Sequence, residues 1–479
     1  MTMKVFWVIA IAVAFRLVFA AFTGLGIDES YMVAAASRFD WSYFDHPPIS
    51  WWLELSARSL FHAQAPIVVR LPFVALSAVS SWLLYAMTNR LYGPRAGFWA
   101  VVAYSISPVF SLAFGAWVLP DGPLDAALLA AAYCLVRALG ITTPPAPRWW
   151  LACGVFAGLA MLSKYNAALV LAGAGIAMLT DPASRREMRR WQPWAAVLIA
   201  AVLFAPVICW NDLHGWQSFH YQSGRATGLR LHLFAPLTIW GGEALFLLPW
   251  LWLPIIALLI AALRRGPTDR RGWLLAMLGI IPIMLFAVVG IWSSTKILYH
   301  WAAPGYLLLL PLLGNWAAGF RWRRPIAELS AALLASAAML LTTEIQFAFI
   351  PNLGQIFPPG KSPLLQAMDW TSIKVPANTP IAALRWYDAG KIGYALGAKV
   401  PVTVFGPEPH EFGISTPPSS LIGQNILLIA MPGDVSAITR QYARDFKTLQ
   451  PAPSLTVIDH GQVLLVIPVL LGTDLLKTP

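Results

Sequence analysis

Asp28 and Glu29 stand side by side in the segment Gly26 to Leu55, which also holds Asp45, His46, the Pro47-Pro48 pair and Trp41, Trp51 and Trp52. The segment follows a long apolar run, Val5 to Phe22. A carboxylate beside lipid is costly, so two adjacent ones call for a reason. Further polar groups recur at the edges of later apolar runs. They are Asp121 and Asp125 in LPDGPLD, Lys164 and Tyr165 in LSKYN, Glu243 in GGEALFLLPW, and Lys296, Tyr299 and His300 in STKILYHW. A carboxylate can take the proton of a hydroxyl nucleophile as it attacks. Lysines, arginines or a metal can stabilise a phosphate that leaves with growing negative charge. Acids and cations gathered at one face suit transfer of a group from a phosphate-linked donor.

Each of these residues also has a structural role open to it. Asp28 is a good N-cap for a helix starting at Glu29, and Asp121 for the helix after Gly122-Pro123. Asp45-His46 before two prolines fits a turn. Lys164 and Lys296 near span ends can snorkel to headgroups. The tryptophans suit an interfacial aromatic belt. The gathering of these groups favours chemistry more than any one of them does.

The elements that must position them are membrane helices. The 479 residues are 58% hydrophobic and 11% charged, with a net charge of +11. A soluble domain carries roughly 25% charged residues. The positive charge is mostly arginine in short connections, which reads as membrane orientation and not as a nucleic-acid surface. Cys134, Cys153 and Cys209 fall inside apolar runs and match no metal spacing, so they are small core residues. The first run has no small-x-small cleavage site before the acidic pair and reads as a retained helix.

Spans need roughly 20 apolar residues, fewer where a helix is short. They are placed near 5–22, 69–88, 97–117, 123–140, 150–163, 166–180, 193–210, 236–263, 272–292, 302–318 and 326–343. Eleven spans with the N-terminus inside put Arg185, Arg186, Arg189, Arg190, Arg264, Arg265, Arg270, Arg271, Arg321, Arg323 and Arg324 on the cytoplasmic side. Fusing the two short runs around Lys164 would move those clusters outside. The loops at 23–68, 118–122, 164–165, 211–235 and 293–301 then share the outer face, as does the segment from 345 to 479.

That last segment reads as a small α/β domain. Strands are expected at 380–386, 400–406 and 425–431, with a helix to about 397 between the first two. Asp434 caps a helix to about Leu449, and SLTVIDH and QVLLVIPVLL form a hairpin at Gly461. With nine Lys+Arg against eight Asp+Glu, this domain has no polyanion signature.

At the acidic loop the chain resembles a known family. DESY followed by FDWSYFDHPP is similar to the first outer loop of the bacterial dolichyl-phosphate-mannose-protein mannosyltransferase-like group, glycosyltransferase family 39 and its relatives. LPDGPL, LSKYNAALVL, GGEALFLLPW and STKILYHWAAPGYLLLLPLL resemble later motifs in the same order, and IAALRWYDAGKIGYALGAKVPVTVFG resembles the outer domain of some members. The resemblance implies a GT-C fold: a helical polytopic membrane domain over 1–344, with first periplasmic loop 23–68, and an extracytoplasmic α/β domain over 345–479. It implies an inverting transferase at the periplasmic face of a bacterial inner membrane. Its partners would be a polyprenyl-phosphate-linked sugar, membrane lipid, and a protein, glycan or lipid acceptor, with no nucleic acid.

Under that resemblance Asp28 is the base and Glu29 positions a substrate. Asp121, Lys164, Lys296 and His300 line the donor phosphate and sugar pocket, with Asp45, His46, Tyr165, Glu243 and Tyr299 as further binding residues. Glu243 departs from the glutamine of many bacterial relatives. Aminoarabinose lipid A transferases are relatives in which a metal near the donor phosphate is an open question, whereas many protein mannosyltransferases need none. No cofactor is therefore assigned, and a divalent metal stays open.

Three other readings compete, the first of them also an enzyme. A lipid A or lipopolysaccharide sugar transferase would use an acceptor that, when already anionic, leans less on a base. A secondary transporter would carry its charges near the midplane with an internal repeat, and a flippase would need a groove but no acidic pair. The arginine distribution yields a direct check. A reporter fused after residue 190 should read cytoplasmic and one fused after residue 360 external; the same side for both would break the eleven-span arrangement.

Overall fold

In the computed structural model, residues 1–228, 231–350, 363–376, 379–397, 400–431 and 434–479 are described. The chain forms two compact units. The first holds Met1–Val18, Asp40–Ser50 and Arg70–Ser336; the second holds Phe19–Phe39, Trp51–Val69 and Ala337–Pro479. The first loop is therefore divided, its middle belonging to one unit and its flanks to the other.

Among its described residues, the regular structure of the first unit is all helical. Among the described residues, six helices are long and apolar enough to cross a membrane. These are Thr2–Phe22, Pro66–Tyr92, Trp191–Leu213, Pro249–Thr268 with its short 3₁₀ end, Arg270–Val289 and Arg323–Phe347. The chain is a multi-pass membrane protein. A seventh crossing exists if Pro94–Ile106 and Val109–Ala116, bent by 81°, count as one. Pro108 at that bend cannot donate a backbone hydrogen bond, which accounts for the break. Asp121–Ala138 and most of Ala303–Gly319 are buried, whereas the shorter apolar helices Trp149–Ser163 and Ala167–Thr180 keep exposed positions such as Val155 and Leu179.

The expected span 236–263 is two helices, Ala235–Leu247 and Pro249–Arg265. Leu248 between them has φ +80°, and Pro249 removes the amide that would continue the ladder. Without a hydrophobic drive between helices in lipid, small residues set how closely they pack. A Cβ on Gly154 would meet the Ala196 backbone at 2.5 Å, and one on Gly305 the Gly279 carbonyl at 2.4 Å. Bulk at either position would force these helices apart. The core is a continuous apolar cluster running from Leu84 through Tyr104, Leu128 and Leu275 to Leu313.

The second unit carries a five-stranded sheet in the order β2-β1-β3-β5-β4. Its strands are β1 (Ile381–Ala383), β2 (Val402–Val404), β3 (Ile426–Ile429), β4 (Phe446–Asp459) and β5 (Gln462–Leu475). β1 pairs in parallel with β2 and β3, and the β4–β5 hairpin adds antiparallel to β3. The hairpin turns at His460-Gly461, both at positive φ as a two-residue turn requires. β4 lies at the sheet edge, where its Pro451 and Pro453 cost no ladder bond to a further strand. Asp434 caps its helix by accepting from the Ser436 amide at 3.1 Å. That helix ends at Tyr442 and not near Leu449, because Phe446 is buried in the sheet and pairs with Leu475.

The same unit contains the acidic helix, Ile27–Ala35. It begins two residues before Glu29, so Asp28 sits in its first turn and Gly26 holds the cap position. Glu29 closes the end by accepting from the Gly26 amide at 2.8 Å. Tyr31 packs edge-on against Trp51, Trp386, His410 and Phe412 and accepts a hydrogen bond from the Glu411 amide. Buried Lys391 donates to the carbonyls of Leu25, Gln366 and Met368. The Leu25 amide in turn donates to the Asp369 carboxylate at 2.8 Å. The acidic helix thus belongs to the core of this unit.

Candidate active site

In the first unit the centre of the polar cluster is Lys164. Its ammonium reaches both carboxylate oxygens of Asp121 at 2.8 Å, with both side chains buried. The local backbone explains the position. Trp149–Ser163 ends at Lys164, which is extended at φ −158° and ψ 140°, and the next helix starts at Ala167. Asp121 is the first residue of its own helix, after Pro120. Its carboxylate therefore goes to a lysine from another element and does not cap the helix.

Around this pair the first unit gathers several predicted residues. His46 and His300 both lie within the electrostatic reach of Lys164, Asp121 and Arg225. Burial, then Lys164, lowers the His46 pKa from 6.5 to about 3, against an opposing pull from Asp45. Burial, then Lys164, lowers that of His300 to about 4, partly offset by Asp121. Both imidazoles are neutral at physiological pH. His46 Nδ1 is sealed from solvent without a hydrogen-bond partner among the described residues. The Tyr165 hydroxyl meets Ser218 Oγ at 2.8 Å, and the Asp45 carbonyl accepts from the Gln222 side chain at 2.6 Å.

Arg225 is a member that the sequence reading did not single out. Its guanidinium lies 4.3 Å over the Tyr221 ring and 5.1 Å over Trp301. Stacking of this kind holds a cation in place while leaving donors available. The signal was available: an arginine in 211–235, a loop assigned to the cation-poor face. Asp125 lies one turn beyond Asp121, and both its buried carboxylate oxygens lack a hydrogen-bond partner among the described residues.

Other predicted residues of the first unit make separate contacts. Glu243 accepts from the Tyr306 hydroxyl at 2.5 Å, and Tyr306 accepts from Trp252 at 2.9 Å, inside the helical bundle. Lys296 is exposed and stands 6.0 Å over the Tyr299 ring. Both line a cavity of about 760 Å³ with His232 and Thr238. The lining of that cavity includes none of Asp121, Lys164 and His46. Asp28, exposed, and Glu29, buried, are on the Ile27–Ala35 helix of the second unit. Among the described residues no group of three or more His, Cys, Asp or Glu side chains is placed to hold a metal ion.

Residues 45–210 match the family model described as dolichyl-phosphate-mannose-protein mannosyltransferase. The structure is similar over 98% of its length, and 98% of the other chain, to apo ArnT from Cupriavidus metallidurans, with TM-score 0.60 and 15% identity. The chain has the fold of this ArnT. The same ArnT bound to undecaprenyl phosphate matches with TM-score 0.58 and 15% identity over 97% of each chain. In sequence, the chain is 24% identical over 424 residues to the lipid A galacturonosyltransferase RgtD of Rhizobium johnstonii, covering 85% of this chain and 86% of that protein.

The two neutral histidines give a pH prediction. The folded protein binds a proton on His46 less readily than the unfolded chain does. Its contribution to stability is therefore full above about pH 6.5 and is lost as pH falls toward 3. His300 acts in the same direction. Melting temperature should fall between pH 7.5 and 5, and His46→Gln should flatten part of that fall. An identical pH profile in the variant would contradict the neutral, enclosed state of His46.

Proposed function

We propose that the chain is an inverting glycosyltransferase that moves a sugar from a polyprenyl-phosphate donor to a lipid A-type glycolipid acceptor. The observation that carries this reading is the buried Lys164–Asp121 pair, with Arg225 stacked nearby, in a GT-C fold. A pre-held cation cluster suits a phosphate whose charge grows as the sugar leaves, and it needs no reorganisation at that moment. The neutral histidines can accept or donate hydrogen bonds to sugar hydroxyls without adding charge. The glycolipid acceptor is supported by the RgtD similarity along most of both chains. Protein or glycan acceptors are the alternative.

In this reading Asp28 is the general base and Glu29 holds the end of its helix. Lys164 and Arg225 bind the donor phosphate, and Asp121 fixes Lys164. The chemistry takes place at the periplasmic face of the inner membrane, with the N-terminus cytoplasmic and the α/β region periplasmic. The bond between the anomeric carbon and the phosphate oxygen breaks, and the acceptor oxygen attacks from the opposite face. Its proton passes to Asp28.

Mass spectrometry of envelope lipids and glycans tests this. A strain lacking the gene should lose a sugar-bearing species that the wild-type gene restores. Asp28→Asn should leave a folded protein whose single-turnover transfer is down by roughly 10²–10⁴-fold for a hydroxyl acceptor. No species lost on deletion would reject the transferase reading. Near wild-type transfer by Asp28→Asn would move the base to Asp45 or Asp121.

A further inference from the structure

A second cavity, of about 390 Å³, lies among the helices Asp121–Ala138, Trp149–Ser163, Ala167–Thr180 and Trp191–Leu213. That volume is in the range of small-molecule pockets. Leu135, Trp150, Met178 and Trp194 line it, each within four residues of a helix end. Those ends are the ones joined by arginine-bearing connections. Arg148, Arg185, Arg186, Arg189 and Arg190 are all exposed there. The acids nearby are committed: Glu187 is buried and pairs with Arg190 at 3.3 Å, and Asp181 accepts from Arg270 at 2.8 Å. The mouth therefore carries surplus positive charge.

The rim suits a lipid. Trp194 is 58% exposed, and its indole donates to the Met188 carbonyl at 2.9 Å. This fixes an aromatic side chain where apolar wall meets basic connection, the preferred interfacial position. Val197, also lining the cavity, is 61% exposed on a helix that is itself an apolar span. The cavity thus opens on an apolar face beside a cluster of cations. Basic clusters next to apolar helices attract anionic lipids by about 1 kcal/mol per residue near the surface.

We propose that this cavity seats an acyl chain of an anionic glycerophospholipid whose headgroup phosphate meets Arg185 and Arg189. It is a structural lipid site at the end of these helices where the arginines cluster. Gly175 lines the cavity, and a Cβ there would meet no atom within 4 Å. Gly175→Phe therefore puts bulk into open space.

Native mass spectrometry of the full chain tests the site. Detergent-solubilised protein is incubated with equal amounts of phosphatidylglycerol and phosphatidylcholine of identical chains, and melting curves check each variant. The wild type should retain one phosphatidylglycerol with a preference of about tenfold or more. Gly175→Phe should lose that retention. Arg185→Gln with Arg189→Gln should still retain lipid but without headgroup preference. Equal retention of both lipids by the wild type, or full phosphatidylglycerol retention in Gly175→Phe, would overturn the site. If Gly175→Phe does not fold, the arginine double variant decides, because an unchanged headgroup preference there also overturns it.

Discussion

The polar cluster depends on one buried ion pair. Lys164 and Asp121 are both taken out of water, and each is tolerable there only because the other is present. Removing one partner of such a pair typically costs about 3–5 kcal/mol, since the remaining charge stays buried. The pair also links two helix ends from distant parts of the chain. One is the break between two short apolar helices; the other is the entrance of the Asp121–Ala138 helix. His46, His300 and Arg225 arrange around a charge pattern that this contact holds in place.

Such a cluster in lipid surroundings is costly for a merely structural element. Asp125 sharpens the point, because its carboxylate is buried one turn from Asp121 and has no hydrogen-bond partner among the described residues. The second unit shows the opposite economy. Glu29 satisfies the amide of its own helix end, and Lys391 satisfies three carbonyls. These two side chains complete backbone hydrogen bonding, which is what a well-packed scaffold requires.

Much of this was legible in the sequence where local chemistry decided the outcome. The break at Lys164 followed from two apolar runs too short to span alone and from the arginine distribution after them. The sheet followed from alternating strand and helix patterns, and the Asp434 cap from residue type. Reading failed where tertiary contacts decided. The helix after Asp434 stops at Tyr442 because Phe446 finds a sheet partner that periodicity does not reveal. Asp121 looked like a cap because its lysine lies 43 residues away. Arg225 was passed over because its stacking on Tyr221 and Trp301 needs rings brought from separate segments. The Leu248-Pro249 break was visible as a proline inside an apolar run, but the length of that run hid it.

The claim that Lys164 binds the donor phosphate, beyond holding Asp121, is tested by undecaprenyl phosphate affinity in nanodiscs. Lys164→Met should weaken binding by about 1–3 kcal/mol, the scale of hydrogen bonds to a charged group. It should also lower the melting temperature, because Asp121 is left buried and unpaired. Adding Asp121→Asn should restore the melting temperature without restoring affinity. If the double variant regains affinity along with stability, or if folded Lys164→Met binds as the wild type does, the pair is structural and the phosphate site lies elsewhere.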